Sequence, residues 1–218
     1  MNNLSVVQEV IIWSLPVLFA ITVHEVAHGW VARRLGDPTA YMMGRLTLNP
    51  LKHIDPIGTV VVPLALVLLE AGVVFGWAKP VPVAWKNLKN PKRDMALVAL
   101  AGPMANLLMA LFWAVVVKIG LLLLATVPFA AEPLIYMGSA GITINVVLMV
   151  LNLLPLPPLD GGRIMTGILP NNLAYPFARL EPYGLFILIG LLATGLLGQV
   201  IGPPLQWVQL TIMSIFGI

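Results

Sequence analysis

The sequence predicts an all-α polytopic membrane protein with about five to six membrane segments, one of them a re-entrant or β-like membrane-associated segment. Of its 218 residues, 59% are hydrophobic and only 10% are charged, whereas about a quarter of the residues in a soluble domain are charged. Several uncharged stretches reach the roughly 20 residues that a helix needs to cross a bilayer. Basic residues collect in short segments between these stretches, a pattern typical of membrane topology rather than of nucleic-acid binding.

The first predicted span covers residues 4–35 and ends at Gly36-Asp37-Pro38, where Gly and Pro are good stop signals. Met1-Asn2-Asn3 contains no basic residue, and the apolar stretch continues into polar residues instead of a small-residue cleavage site. We therefore expect a retained span and not a signal peptide.

The segment after this span mixes several signals. Residues 44–55 combine β-formers with the turn-prone Asn49-Pro50, which indicates a short irregular or hairpin segment. Residues 57–69 are apolar but short, and Pro63 interrupts them. This stretch, extended to residue 74, is either a tilted span or a re-entrant hairpin.

Two clear spans follow at residues 95–117 and 134–159, neither of which contains a charged residue. No charge appears after Glu181, and Gly202-Pro203-Pro204 is predicted to divide that stretch into a piece long enough to cross and a shorter one. No internal repeat or soluble domain is evident, so we treat residues 1–218 as a single membrane domain.

The basic residues form two clusters that constrain the topology, because Lys and Arg in short loops favour the cytoplasm. A re-entrant segment at residues 57–74 places both clusters inside, so that the span at 95–117 runs outward and the span at 134–159 runs inward. We expect a multi-pass protein in the plasma membrane of a prokaryote. The clusters are Arg33, Arg34, Arg45 and Lys52, and then Lys79, Lys86, Lys89, Lys92 and Arg93.

The first span carries a candidate metal site. The chain has no cysteine, so His and carboxylates are its only strong metal-binding side chains. His24 and His28 are four residues apart and share one face of a helix, while Glu25 approaches a water on the same ion. This is the pattern of a zinc hydrolase in which Glu25 is the general base. The alternative, two histidines that only form hydrogen bonds, is disfavoured because ionisable groups in a membrane are usually functional.

A catalytic zinc ion needs a third protein ligand, for which we prefer Asp160. It follows the second uncharged span after a helix-breaking segment with Pro155, Pro157 and Pro158. The alternative role for Asp160 is to cap the next helix. His53 is the rival ligand, but its neighbours are polar.

Two motifs resemble the paired signature of site-2 proteases, which are zinc intramembrane metalloproteases. They are His24-Glu25-Val26-Ala27-His28 and Asn152-Leu-Leu-Pro-Leu-Pro-Pro-Leu-Asp160-Gly161. The segments around 44–50 and Ala101-Gly102-Pro103 are also similar to that family. The resemblance implies one zinc ion bound by His24, His28 and Asp160, with Glu25 as the general base. It also implies a transmembrane substrate and a site near the cytoplasmic face of the bilayer.

Two asparagines are further candidates for substrate contact or catalytic support. The resemblance implies that Asn152 contacts the substrate or the reaction centre, and the alternative is a hydrogen bond between helices. Asn106 has the same two interpretations, and we favour packing for it.

The chain contains no PDZ-like insertion of the kind found in many site-2 proteases, so a regulatory membrane partner or an earlier cleavage could select its substrates. A substrate helix must unfold before cleavage, and a sheet edge could hold it as a strand. Residues 41–48 and 73–83 are candidates for such an edge or are plain surface loops. Rival functions are a membrane metal-ion transporter, in which Glu25 would have no task, and an inactive scaffold.

Overall fold

The computed structural model describes residues 5–68 and 76–218, and every regular element in these two ranges is helical. The prediction of an all-α protein is therefore confirmed. The α-helices are α1 (Val6–Arg34), α2 (Thr39–Met42), α3 (Val62–Leu68), α4 (Pro91–Leu123), α5 (Pro128–Asn152), α6 (Asp160–Ile168), α7 (Asn171–Ala178), α8 (Glu181–Ala193) and α9 (Leu196–Phe216). Short 3-10 turns cover Pro50–Lys52 and Trp85–Asn87, and a π-helical turn covers Pro56–Val61.

Three helices, α1, α4 and α5, are long and apolar enough to cross a membrane, and a fourth span exists if α7 and α8, bent by 65°, count as one. The predicted number of five to six is thus not reached within the described residues. The segment predicted to re-enter begins as the π-helical turn and α3, and its continuation beyond Leu68 lies outside the described residues.

Three sequence-based predictions need correction. The Gly202-Pro203-Pro204 stretch does not divide the last apolar region, because α9 runs through it. The break lies instead at Gly195, whose positive φ of 74° ends α8 and begins α9. The span predicted at 134–159 ends early, at Asn152, because the following prolines cannot continue the helix.

The third correction concerns the β-like segment. Tyr41 lies in α2, and no strand is present at residues 43–48 or 76–83, while residues 73–75 lie outside the described residues. Alternation of Val and Pro is compatible with an extended chain, but the prolines have no N–H to donate to a neighbouring strand. The result is a segment at residues 76–83 without regular secondary structure.

Helix α1 begins and ends with strong local signals. Ser5 and Gln8 form a capping box at its start. Arg33 and Arg34 occupy its last turn, where they interact favourably with the helix dipole. Gly36 then adopts a positive φ of 116° and turns the chain away. The predicted first span is confirmed to within two residues at each end.

The core is built from α1, α4 and α5, which all contact one another, with α4 packed against both of the others. Trp113 and Val117 on α4 lie against Gly141 and Gly138 on α5, where an added Cβ would collide with their side chains. These contacts, and those of His24 and His28 with Asn106 and Val98, run in opposite sequence directions. Helices α1 and α5 are therefore both antiparallel to α4, and their C-terminal ends meet where α4 begins.

The segment that connects α1 to α4 begins and ends at neighbouring positions. The Lys89 N–H donates to the Leu35 carbonyl at 3.1 Å, so the end of α1 adjoins the residues that lead into α4. Before that point, residues 76–84 form no regular secondary structure, and we call this segment the strap. Lys79 N–H donates to the His53 carbonyl at 2.9 Å and fixes one end of the strap.

Asp37 fixes the other end of the strap. Its carboxylate accepts hydrogen bonds from the Ala84 N–H at 2.6 Å, from Asn87 Nδ2 at 3.0 Å, and from the N–H and hydroxyl of Thr39. Burial alone would raise the pKa of this carboxyl, but the hydrogen bonds from Thr39, Asn87 and Ala84 outweigh it and hold the pKa below its usual range. The ionised form therefore stabilises the fold.

We expect Asp37→Asn to lower the free energy of unfolding at pH 7 by about 1–3 kcal/mol, because an amide leaves one buried donor without an acceptor. A lowered folded-state pKa means that the stabilisation is complete above the ordinary carboxyl pKa of about 3.9 and is lost as the pH falls through the folded-state value. Melting temperatures in detergent should therefore differ at pH 7, begin to converge below about pH 4 and become equal only below the folded-state pKa. The exposed Glu181→Gln is the control, and an equal effect of that change would contradict the account.

Candidate metal centre

Three side chains from two distant parts of the chain converge inside the helix bundle. His24 Nε2 and His28 Nε2 each lie 3.2 Å from Asp160 Oδ2, and the two nitrogens are 3.0 Å apart. All three residues are buried. The spacing of the two histidines on α1 brings their Nε2 atoms together. Asp160, the first residue of α6, supplies the third donor atom. Among the described residues this is the single group of three or more acidic or His side chains able to hold a metal ion.

Hydrogen bonds on the far side of each imidazole fix its tautomer. His28 Nδ1 lies 2.7 Å from the Val98 carbonyl, which can only accept, so Nδ1 carries the proton. His24 Nδ1 lies 2.6 Å from Asn106 Oδ1. The amide nitrogen of Asn106 donates elsewhere, so its oxygen faces His24 and accepts from it. In the neutral form of each ring, Nε2 therefore points its lone pair at the centre.

The donor set fits a zinc ion. Asp160 Oδ2 is buried and receives no hydrogen bond from the described residues, although two nitrogen lone pairs face it. Such a triangle of lone pairs is repulsive unless a cation lies between them. Bonds of about 2.0–2.1 Å at near-tetrahedral angles place neighbouring zinc ligands about 3.3 Å apart, close to the separations here. Two imidazoles, one carboxylate and an open fourth position are a usual catalytic zinc set.

Glycines let the backbone approach this centre. An added Cβ on Gly102 of α4 would lie 2.5 Å from His28 Nε2 and from His24 Cε1, inside the space of the two rings. Gly161 follows the aspartate, and an added Cβ there would collide with the carbonyls of Leu153 and Leu154. Any larger residue would shift a ligand. Ala101-Gly102-Pro103 was noted in the sequence as similar to the family, but the contact of Gly102 with the imidazoles was not predicted.

Asn106 is hydrogen-bonded to one of the three convergent residues, whereas a packing role was favoured from the sequence. It is fully buried, and it accepts from His24 while donating to the Ala20 carbonyl at 3.3 Å and to Asn145 Oδ1 at 3.0 Å. Asn145 in turn donates to the Gly141 carbonyl at 2.8 Å. This hydrogen-bonded chain connects α1, α4 and α5 and orients His24. Asn145 was not identified from the sequence. The one available signal was an isolated Asn in an apolar helix.

We expect Asn106→Leu to weaken zinc binding by about 10–100-fold, as is usual when the partner of a metal-bound histidine is removed. The reason is that His24 then loses the acceptor that fixes its tautomer and ring orientation. Competition with a zinc-chelating dye measures the change. Asn152→Leu is the matched control, since that side chain donates only to Leu148 within its own helix. Equal zinc affinity in the two variants would refute the orienting role.

The other sequence candidates lie apart from the three ligand atoms. Asn152 donates to the Leu148 carbonyl at 3.0 Å and makes no hydrogen bond to the histidines or the aspartate. His53, the rival ligand, is buried and its Nε2 donates to the Thr47 carbonyl at 2.9 Å, so it is not among the convergent residues. Its Nδ1 has no hydrogen-bond partner among the described residues.

Glu25, the predicted base, is held by the strap. Its Oε2 accepts the backbone N–H of Val81 at 2.7 Å. The contact joins the helix that carries both histidines to a segment more than 50 residues away, and no local pattern in the sequence predicts it. One carboxylate oxygen remains for a proton-transfer partner.

Comparisons with known proteins match this chain to a peptidase family. The model of Peptidase family M50 matches residues 12–193. A Bacillus subtilis protein named "Putative zinc metalloprotease YwhC" is 38% identical over 93% of this chain and 89% of its own length. Proteins named "Putative zinc metalloprotease Rip2" are also similar. The one from Mycolicibacterium smegmatis is 32% identical over 87% of this chain and 70% of its own length, and the one from Mycobacterium tuberculosis is 30% identical over 85% and 68%. No solved structure matches.

Proposed function

Because this chain belongs to Peptidase family M50, the site-2 protease family, and is a metalloprotease, we propose that it hydrolyses peptide bonds within or near the transmembrane helices of other membrane proteins. His24, His28 and Asp160 hold one zinc ion, and Glu25 is the general base. The family resemblance drawn from the two motifs is confirmed by the match over residues 12–193.

The convergence of two imidazole nitrogens and one carboxylate oxygen within 3.2 Å of one another is the single observation that carries this proposal. The zinc cofactor agrees with the names of the relatives and with the donor set. The histidines lie six and ten residues before the end of α1, which is about 9 and 15 Å along a helix. That depth supports chemistry below the surface of the bilayer, at the end of α1 that carries the basic residues.

The residues of the chain divide the work of hydrolysis. A zinc ion in this site supplies Lewis acidity, which lowers the pKa of water and polarises a substrate carbonyl. The two imidazoles, fixed by Asn106 and by the Val98 carbonyl, keep their lone pairs in place throughout. Glu25 removes a proton from the attacking water and later delivers it to the leaving amine. Burial of the ligands excludes bulk water and strengthens each electrostatic interaction.

We place this site near the cytoplasmic face, in the plasma membrane of a prokaryote. Residues 35 and 89 are adjacent, so the chain between them returns to the side from which it left. This supports a re-entrant segment at residues 57–74 and both basic clusters in the cytoplasm. With that segment and α9, the number of membrane segments becomes five to six within the single domain of residues 1–218.

The substrate must enter as an unfolded segment of a transmembrane helix, and a regulatory membrane partner could present it. Asn152 lies in the last turn of α5, shortly before the Pro-rich turn that leads to Asp160. We propose that it contacts the substrate when the substrate is bound. The metal-transporter alternative is not favoured, because Glu25 and the open ligand position serve hydrolysis and have no task in transport.

Reconstitution tests this function directly. The full chain is incorporated into liposomes with a fluorophore-quencher transmembrane peptide that contains a Gly-Pro break, and the products are located by mass spectrometry. We expect cleavage within or next to the apolar segment, inhibition by a membrane-permeant zinc chelator and recovery with zinc. Zinc flux into the liposomes without peptide cleavage would instead establish the transporter.

A further inference from the structure

We propose that Arg45 positions the catalytic base Glu25 through a single peptide unit of the strap, so that a guanidinium and a carboxylate act on the two ends of the Pro80–Val81 peptide. This inference rests on the proposed role of Glu25. Arg45 is not one of the three convergent ligands and acts through its hydrogen bonds to the strap, so it is a positioning residue.

The burial of Arg45 requires an explanation. Its exposed fraction is 8%, and it forms no ion pair within the described part of the chain. A buried charge without compensation is costly. Its Nη2 instead donates to two consecutive carbonyls of the strap, at 3.0 Å to Lys79 and at 3.4 Å to Pro80. The fold thus uses a buried cation to hold this short segment.

The Pro80–Val81 peptide unit also contacts Glu25. The carbonyl of Pro80 faces Arg45, and the N–H of the same peptide, which belongs to Val81, donates to Glu25 Oε2 at 2.7 Å. In a trans peptide the C=O and N–H point in opposite directions. Cation, peptide dipole and anion therefore form one chain, in which each hydrogen bond polarises the next and strengthens it. Arg45 is the indirect counter-ion of Glu25.

Residues 80–82 of the strap contain one backbone N–H that can donate to Glu25. Pro80 and Pro82 have no N–H, so Val81 supplies the single backbone donor of the three residues. The Val81 side chain is buried, and an added Cβ on Gly29 would lie 2.8 Å from its Cγ1. Gly29 follows Glu25 by one helical turn, and its missing side chain lets the strap lie directly on α1. This contact places the Val81 N–H beside the carboxylate of Glu25.

Two variants separate this role from general packing. Val81→Pro removes the N–H and keeps an apolar side chain, while Val83→Pro is the matched control, because the Val83 N–H makes no hydrogen bond within residues 5–68 and 76–218. Arg45→Met removes the charge at similar length, and Arg45→Lys retains a charge and donors. All are made in the full chain in lipid nanodiscs, with zinc content measured for each.

The first measurement is hydrogen exchange of the Val81 amide, which needs no substrate. We expect about tenfold faster exchange in Glu25→Ala and in Arg45→Met, with most of the protection restored in Arg45→Lys. Unchanged exchange in both Glu25→Ala and Arg45→Met would overturn the proposal, whatever the enzyme does.

The second measurement is cleavage of the fluorophore-quencher transmembrane peptide. We expect Arg45→Met and Val81→Pro to lower kcat by about tenfold, a fraction of the effect of a general base, with KM and bound zinc unchanged. Arg45→Lys should recover most of the rate, and Val83→Pro should match the wild type. Wild-type kcat in folded Val81→Pro, or equal losses in Val81→Pro and Val83→Pro, would refute the relay. If Glu25→Gln cuts normally, the proposed function fails instead.

Discussion

Glu25→Gln is expected to retain zinc and to lose peptide cleavage by a factor of about 10²–10⁴, the usual contribution of a general base. The amide is nearly the same size and can still accept the Val81 N–H, so the strap and the helix should keep their places. It cannot take a proton from the attacking water, so the chemical step slows while substrate binding persists. Steady-state cleavage of the transmembrane peptide and zinc content measured on one preparation provide the test.

The distribution of the loss between kcat and KM is informative. We expect the fall to appear in kcat, because replacing the carboxylate by an amide affects the transition state and not the binding of the substrate. Glu181→Gln, an exposed carboxylate remote from the histidines in sequence, is the control for loss of an acidic group. A Glu25→Gln enzyme with undiminished kcat would remove Glu25 from the mechanism.

His28→Ala is expected to abolish both zinc binding and cleavage. The change deletes one of the three donors and leaves the Val98 carbonyl without its partner, so two donors remain for an ion that needs three. Zinc content by elemental analysis should fall from one per chain to near zero. Helical circular dichroism should change little, because the core of α4 and α5 lies beyond this site.

His53→Ala is the matched control for this result. His53 is the remaining histidine of the chain and is also buried, but it is hydrogen-bonded to the Thr47 carbonyl and lies outside the donor triangle. It should retain a full equivalent of zinc. Zinc lost equally from both variants would point to general destabilisation, and zinc retained in His28→Ala would contradict the assignment of the ligands.

The sequence predicted those features that depend on local pattern. The apolar lengths of α1, α4 and α5 and the spacing of the two histidines follow from helical geometry. Asp160 was selected because a carboxylate after a broken helix is unusual in a membrane protein. These choices required no knowledge of which helices contact one another.

Features that depend on long-range packing were not predictable. The contact of Gly102 with both imidazoles and the hydrogen bond from His24 to Asn106 require α4 to lie antiparallel to α1. The bond between Val81 and Glu25 requires the strap to cross α1 at Gly29. No periodicity encodes such a crossing, and the alternation of Val and Pro was instead interpreted as a candidate sheet edge or a plain surface loop.

The boundaries of the last helices illustrate the limit of residue propensities. Gly202-Pro203-Pro204 was expected to break the apolar stretch, since Pro lacks an N–H and disfavours a helical residue before it. Helix α9 nonetheless continues, and Ile212 near its end packs into the core with Trp113 and Val146. Tertiary contact outweighed the local preference.

X-ray absorption at the zinc edge tests the shared ion most directly. In the full chain we expect one zinc ion with two imidazole nitrogens and further oxygen donors at about 2.0–2.1 Å and no sulfur, since the chain has no cysteine. Each of His24→Ala and His28→Ala should remove an imidazole contribution or the ion itself, and Asp160→Ala should remove the ion or alter its oxygen shell. A spectrum with two imidazoles that stays unchanged in all three variants would show that the ion is bound elsewhere.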